Sequence, residues 1–275
     1  MLEAKTVLIE LAFLQKKKAI ETERRTQSKQ VFDQIQELYD KEQVGILDLN
    51  KAKIAWIQEQ FGVEQIESEI QIVLSKLKTL NGGKAIDGFT LGIDLSTEVA
   101  AVETLWQEKL SNDPSLQGLN AAETASLQKV KLEKNKVLPN VALGYNYQGV
   151  SGSNYSGFYG GLSIPLWNSK NKVKAAEADY EYQQSNTQVI TASLYAQFQE
   201  LYNRYELMRK KYSEYLTTMG NLNSEQLLFK AYMLGEYSYM DYYVELQFYR
   251  NALDRMLQME KEIQMLQAQL LKHQL

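Results

Sequence analysis

Between two long runs of helix-forming sequence lie two short stretches that alternate with a period of two, Leu138–Tyr147 and Gly157–Trp167. In the first, Val141, Leu143, Tyr145 and Tyr147 fall on one face and Ala142, Gly144, Asn146 and Gln148 on the other, so one side is greasy and the other small or polar. Each stretch is about ten residues long, the length that crosses a hydrocarbon layer when tilted. Tyr145, Tyr147, Tyr155, Tyr159 and Trp167 supply aromatics suited to the two interfaces. The pattern is that of a membrane-barrel hairpin with Gly149–Gly157 at its tip. It predicts Val141, Leu143 and Tyr145 facing lipid and Asn146 and Gln148 facing the lumen.

The rest of the chain reads as helix. Of 275 residues 23% are charged and only 3 are proline, which favours long helices over several compact domains. The net charge of -4 argues against nucleic acid as a partner. The basic cluster Lys16, Lys17, Lys18, Arg24 and Arg25 is interleaved with Glu10, Glu21 and Glu23, as on a solvated face. With no cysteine there are no disulfides or thiolate metal sites. The longest apolar run, Thr6–Leu14, contains Glu10, so no helix is expected to span a membrane and any crossing must be made by strands. Met1–Lys5 enters a helical pattern without the basic start and cleavage site of a signal peptide.

The chain also repeats itself. Val44-Gly45-Ile46-Leu47-Asp48-Leu49 and Leu234-Gly235-Glu236-Tyr237-Ser238-Tyr239 are each flanked by helix-prone sequence, with the two glycines 190 residues apart. In this reading each glycine supplies the left-handed residue that ends a helix, and Asp48 or Ser238 caps the next. Both motifs then form tips of helical hairpins. Coiled-coil spacing follows the tips at Val63, Ile66, Ile70, Val73, Leu77 and Leu80, and at Leu246, Tyr249, Leu253 and Met256, slipping before Met259, Ile263, Leu266 and Leu270; Ile190 to Tyr215 carries it before the second tip. The predicted organisation is a first-repeat helical hairpin over 1–80, a connector over 81–111 with Gly82, Gly83, Gly88 and Gly92, and a helix over 112–139 capped by Asp113 with Pro114 in its first turn. The β-hairpin over 140–167 and a second-repeat helical hairpin over 168–275 follow. The fold class is mainly α with one β-hairpin: long antiparallel helical hairpins plus two strands.

No catalytic constellation is legible. The single histidine, His273, is the third residue from the end and the chain offers no second histidine or cysteine to share a metal with it, and the Gly149–Gly157 stretch lacks the Lys-Ser/Thr of a phosphate loop. Neither an enzyme, a metal site nor a cofactor is expected.

The element order, with Ser111–Leu116, Lys134–Asn140, Gly160–Asn168 followed by Lys172–Ala178, and the C-terminal Leu234–Ser238 and Arg250–Leu253, resembles the TolC-type outer-membrane efflux family over nearly the whole chain. The resemblance implies a homotrimer whose strands close a transmembrane β-barrel in the outer membrane, continued by an α-barrel of coiled helices through the periplasm. It implies that the tips, here Val44, Gly45, Asp48, Leu234, Gly235 and Ser238, meet a periplasmic adaptor protein. It also places Tyr232, Tyr237 and Asp241 in the pore gate, Asp241 being alternatively an ordinary first-turn acid favoured by the helix dipole. An inner-membrane pump of RND, ABC or MFS type would supply the energy, and outer-membrane lipid would surround the strands. The family pattern has a hairpin in each repeat; the 190-residue offset would put the first one roughly 23 to 50 residues before Met1, so an N-terminal truncation is expected. Three such chains would carry six strands, fewer than the eight of the smallest common barrels.

The function expected on this resemblance is a passive exit duct of a tripartite efflux or type I secretion system. A periplasmic adaptor is the runner-up, but would need a β-sandwich flanking its helical hairpin; a soluble coiled-coil scaffold leaves the alternating strands unexplained.

Overall fold

The computed structural model describes residues 1–86, 99–164, 171–220 and 224–274. In chain order the elements are α1 (Leu2–Asp40), α2 (Ile46–Leu80), α3 (Val102–Asn112), α4 (Pro114–Asn135), β1 (Asn140–Val150), β2 (Ser153–Ser163), α5 (Lys172–Gly220), α6 (Ser224–Met233) and α7 (Tyr239–Leu270). A single 3-10 turn over Lys272–Gln274 ends the described chain. Gly88 and Gly92 of the expected connector, and Pro165, Leu166, Trp167 and Asn168 of the expected second strand, lie outside the described residues. The protein is mainly α with a two-stranded antiparallel sheet. Two compact units divide it, Met1–Leu105 with Gln199–Leu275, and Trp106–Phe198.

In the first unit, α1 and α2 form a long antiparallel hairpin on which α7 packs. Val7 and Leu11 of α1 meet Leu77 of α2; further along, Phe13 and Leu14 meet Ile66 and Leu257; nearest the tips, Val31 and Ile35 meet Leu49, Ala52, Tyr242 and Leu246. The seam read from α2 is buried at Val63, Ile66 and Leu77 and half-buried at Ile70 and Val73, while Leu80 is exposed at the frayed end. On α7, Leu246, Met259, Ile263, Leu266 and Leu270 are buried as the spacing predicts, and Leu257 takes the place of Met256 in the core.

Charges are buried among these helices. Arg24, 4% exposed, binds Glu21 at 2.8 Å, Asp254 at 2.9 Å and the Arg250 carbonyl at 3.3 Å; Arg250, equally buried, binds Glu59 at 2.5 Å. Two guanidiniums and three carboxylates thus tie α1, α2 and α7 together. Burial pushes the Glu59 carboxyl upward, against the lowering pull of Arg250.

Both helix reversals are Schellman turns, but their register differs from the sequence reading. At the first, the amide of Gln43 donates to Leu38 O (2.9 Å) and that of Glu42 to Tyr39 O (2.9 Å); at the second, Glu236 donates to Ala231 O (3.0 Å) and Gly235 to Tyr232 O (2.9 Å). The left-handed residues are therefore Glu42 (φ 59°) and Gly235 (φ 75°), 193 residues apart rather than 190. Gly45 is instead extended (φ −85°) and occupies the N-cap of α2, with no side chain to cap it, and Asp48 lies in the first turn of α2 rather than at its cap. The counterpart of Gly45 is Ser238, whose hydroxyl does cap α7 by accepting from the Asp241 amide at 3.2 Å. A glutamate in the left-handed position disguised the equivalence, because glycine is the residue that position favours.

In the second unit, Asp113 caps α4 by accepting from the Ser115 amide at 2.9 Å with Pro114 next in line, as read from sequence. Lys129–Asp179 and Lys134–Glu177 pair α4 with α5, each at 2.8 Å, and Trp106 packs against Tyr195 and Phe198. The hairpin is longer and its tip tighter than expected. Pairing runs without interruption from Asn140↔Ser163 to Val150↔Ser153, so most of Gly149–Gly157 is strand. Only Ser151 (φ 31°) and Gly152 (φ 94°) turn the chain, and positive φ at both is the backbone of a type I′ hairpin turn.

Candidate functional site

Two surfaces carry the residues singled out by sequence. The first is the hairpin. Its register puts Val141 opposite Leu162, Leu143 opposite Gly160 and Tyr145 opposite Phe158 on one face. Leu143 is 83% and Phe158 91% exposed, and Val141, Tyr145 and Leu162 are exposed as well, with the rings of Tyr145 and Phe158 5.2 Å apart. The single-strand reading found Val141, Leu143 and Tyr145 but not Phe158 and Leu162, which join that face only once the two-residue turn fixes the register. The other face carries Asn146 and Gln148 opposite Gly157 and Tyr155, and Gly144 opposite Tyr159. Gly144 has to be small: a Cβ there would sit 2.4 Å from the Tyr159 ring, which lies across it. Among the described residues no helix is long and apolar enough to cross a membrane.

The second surface is the pair of helical tips, both in the first unit. Val44 and Asp48 of the first tip and Tyr232, Leu234, Gly235, Tyr237 and Ser238 of the second line one cavity of about 640 Å³. Gly45 and Asp241 are not in its lining. Tyr232 stacks on Tyr242 (centroids 4.9 Å apart, planes at 24°) and meets Tyr239 edge-on at 6.4 Å. Burial raises all three phenols, Tyr242 to about 12, and the Asp48 carboxylate adds to the rise at Tyr232 and Tyr239. Tyr232 is thus a wall of the junction between the tips, its ring held by Tyr242 beneath it. Tyr237 is 39% exposed at the rim. Asp241 is held in a reciprocal cap: its amide donates to Ser238 Oγ while the Ser238 hydroxyl donates to Asp241 Oδ2 at 2.6 Å. Asp241 thus lies in the first turn of α7. Sequence reasoning missed Gln34, Tyr239 and Tyr242 here; the signal for the tyrosines was the run Tyr237–Tyr243, which holds four of them.

The sequence matches no protein-family model and no curated protein. Solved structures do match. The outer membrane protein VceC from Vibrio cholerae aligns over 99% of this chain and 68% of its own with a TM-score of 0.77 at 14% identity. A membrane protein from Pseudomonas aeruginosa aligns over 99% of this chain and 65% of its own with a TM-score of 0.77 at 12% identity. The CmeC outer membrane channel of Campylobacter jejuni aligns over 99% and 62%, with a TM-score of 0.71 at 15% identity. The chain spans about two thirds of the length of these neighbours. The long helical hairpins and the antiparallel β-hairpin of the described residues thus share the fold of TolC-type outer-membrane channels over the part that aligns.

Proposed function

We propose that the chain is a subunit of an outer-membrane channel that serves, as a homotrimer, as the passive exit duct of a tripartite efflux pump or type I secretion system. The observation that carries this reading is the exposed hairpin: eleven-residue strands with Val141, Leu143, Phe158 and Leu162 turned outward on one face have no burial partner within their own unit. In water that apolar surface is unfavourable by roughly 25 cal/mol per Å², whereas hydrocarbon accepts it. The channel-type fold of the neighbours supports the same reading. On it, Val141, Leu143 and Tyr145 face outer-membrane lipid and the helices extend into the periplasm. The tips at Val44, Gly45, Asp48, Leu234, Gly235 and Ser238 meet an adaptor protein that couples to an inner-membrane pump. Opening is a rearrangement of the tip helices around Tyr232, Tyr237 and Asp241 that adaptor binding favours. The duct performs no chemistry, so neither enzyme activity nor cofactor enters the proposal.

The test is fractionation followed by conductance. Expressed behind a secretion signal in a Gram-negative host, the protein should sediment with outer membrane, and the complete channel, purified in detergent, should insert into planar bilayers and conduct. Recovery in the soluble periplasmic fraction without bilayer conductance would overturn the reading.

A further inference from the structure

Charge is distributed unevenly around the β-hairpin. From Val137 to Ser169 the chain has no charged residue, and on both sides of that stretch lysine prevails. Lys129, Lys131, Lys134 and Lys136 end α4, and Lys172 and Lys174 open α5, with Lys170 outside the described residues. Against these seven lysines the segment from Lys129 to Asp179 holds only Glu133, Glu177 and Asp179, a local net charge of +4 in a chain whose net charge is -4. The turn at Ser151-Gly152 and its neighbours carry no charge. The cations gather at the base of the hairpin alone.

Ion pairing on a solvated helix surface accounts for part of this group. Lys129 binds Asp179 and Lys134 binds Glu177 at 2.8 Å, and Lys136 binds Glu133 at 2.7 Å. All three carboxylates are thereby engaged, and among the described residues no ion pair holds Lys131 or Lys174. The helical period also puts Lys129 and Lys136 on one side of α4 and Lys131 and Lys134 on the other. A partner lying along the helix would meet one side only, whereas a charged layer cut across the axis meets both. These lysines span about 10 Å of the axis at ~1.5 Å per residue, comparable with the headgroup layer of a bilayer, about 5–8 Å thick. The exposed residues among and beside them are apolar: Leu132, Val137 and Leu138 on one leg, Leu162 and Ile164 on the other. Lysine stems lie along such surface while their ammonium groups reach a polar layer.

We propose that the lysine collar at the base of the β-hairpin binds the phosphate headgroups of anionic phospholipids in the leaflet on the helix side. The inference rests on the reading of the hairpin as a membrane element, and adds which lipid it prefers and on which side. An eleven-residue strand at about 3.3 Å per residue, tilted about 45°, rises ~25 Å, so the collar meets one interface and the uncharged turn the other. A zwitterionic headgroup sets its own cation beside the phosphate and gains little from the collar. A nucleic acid shares the phosphates but offers no apolar medium to Leu132, Val137 and Leu138. Each lysine near an anionic surface contributes about fivefold in association, and salt weakens it.

The whole chain is reconstituted in phosphatidylcholine bilayers holding a trace of spin-labelled phosphatidylglycerol or spin-labelled phosphatidylcholine. Electron paramagnetic resonance then gives the motionally restricted fraction of each label. At low ionic strength phosphatidylglycerol should associate at least about fivefold more strongly than phosphatidylcholine, and the preference should fall toward parity at about 1 M salt. The quadruple variant Lys131→Gln/Lys136→Gln/Lys172→Gln/Lys174→Gln leaves three lysines against three carboxylates, and should show parity. Lys→Arg at the same four positions should keep the preference, and Lys51→Gln/Lys53→Gln beside the first tip should leave it unchanged. Circular dichroism on each variant separates lost selectivity from lost folding. Equal association of both labels with the parent chain would overturn the inference while leaving the hairpin in the bilayer. Undiminished preference in the folded quadruple glutamine variant would overturn it too. A spectrum with no restricted component for either label would overturn the membrane reading of the hairpin, and this inference with it.

Discussion

Arg250→Leu isolates what the buried charge network contributes. The substitution removes the guanidinium bonded to Glu59, whose side chain is 16% exposed, and leaves that carboxylate largely enclosed among α1, α2 and α7. Breaking a buried pair this way typically costs about 3–5 kcal/mol, but Glu59 has an escape because it can take up a proton. Starting from its ordinary value of 4.5, neutralising it at pH 7 costs about 3.4 kcal/mol, at ~1.36 kcal/mol per pH unit, and that figure caps the electrostatic penalty. At pH 5 the same step costs only about 0.7 kcal/mol. Urea unfolding of the detergent-solubilised protein, followed by circular dichroism, should therefore show a loss of about 3 kcal/mol at pH 7 that shrinks below about 1 kcal/mol at pH 5. The double variant Arg250→Leu/Glu59→Leu should recover most of the loss at pH 7. The sign in the parent protein follows the same logic: the folded-state value of Glu59 is raised above its unfolded one, so its contribution is complete below 4.5 and is lost as the pH climbs through the higher folded value. A penalty independent of pH, or a double variant as unstable as the single one, would refute the claim that Glu59 depends on Arg250.

Arginine at Leu143 should impair membrane assembly by about 2–4 kcal/mol if that position meets the bilayer midplane, whereas arginine at Asn146 should be tolerated; a heat-modifiability gel on membrane extracts reads the difference. Because Glu42 holds the left-handed position that Gly235 holds in the second tip, Glu42→Gly should stabilise the protein by up to about 1 kcal/mol, and Gly235→Val should destabilise it by about 1–2 kcal/mol, both visible in melting. Asp241→Ala should remove block by trivalent cations in planar bilayers if three copies ring the mouth; unchanged block would leave Asp241 as a capping residue alone.

Much of the fold was legible because its signals are periodic. Heptad spacing marked the burial of Val63, Ile66 and Leu77 and of Leu246, Ile263 and Leu266, and Asp113-Pro114 marked the start of α4. What stayed hidden depended on residues acting against type. Glu42 adopts a conformation that usually signals glycine, so matching Gly45 to Gly235 puts the two tips three residues out of step and assigns to Asp48 the cap that belongs to the Gly45 position. Gly149, Ser153 and Gly157 look like loop residues in the sequence, yet they pair across the ladder and only Ser151-Gly152 turns. Arg24 and Arg250 lie on the buried helix faces, Arg250 between Leu246 and Leu253 at seam spacing, but periodicity treats a charge there as an interruption rather than a partner. The tip cavity is assembled from α1, α2, α6 and α7, and no local pattern announces a space that four segments enclose.

The two-residue turn at Ser151-Gly152 carries a consequence for how the molecule matures. It makes the hairpin cheap to close locally, since the strands need search almost no loop conformations before they pair. Yet among the described residues each strand pairs on one side only, which leaves the amides and carbonyls along the outer edges of β1 and β2 without a strand partner. Two strands by themselves are marginal in water and untenable in lipid, where every such group must be bonded. The hairpin can therefore close on its own locally, and on the proposed channel reading it is secured only when strands of other subunits flank it. Amide-exchange protection in β1 and β2 should accordingly rise with protein concentration, while protection in α1, α2 and α7 should not.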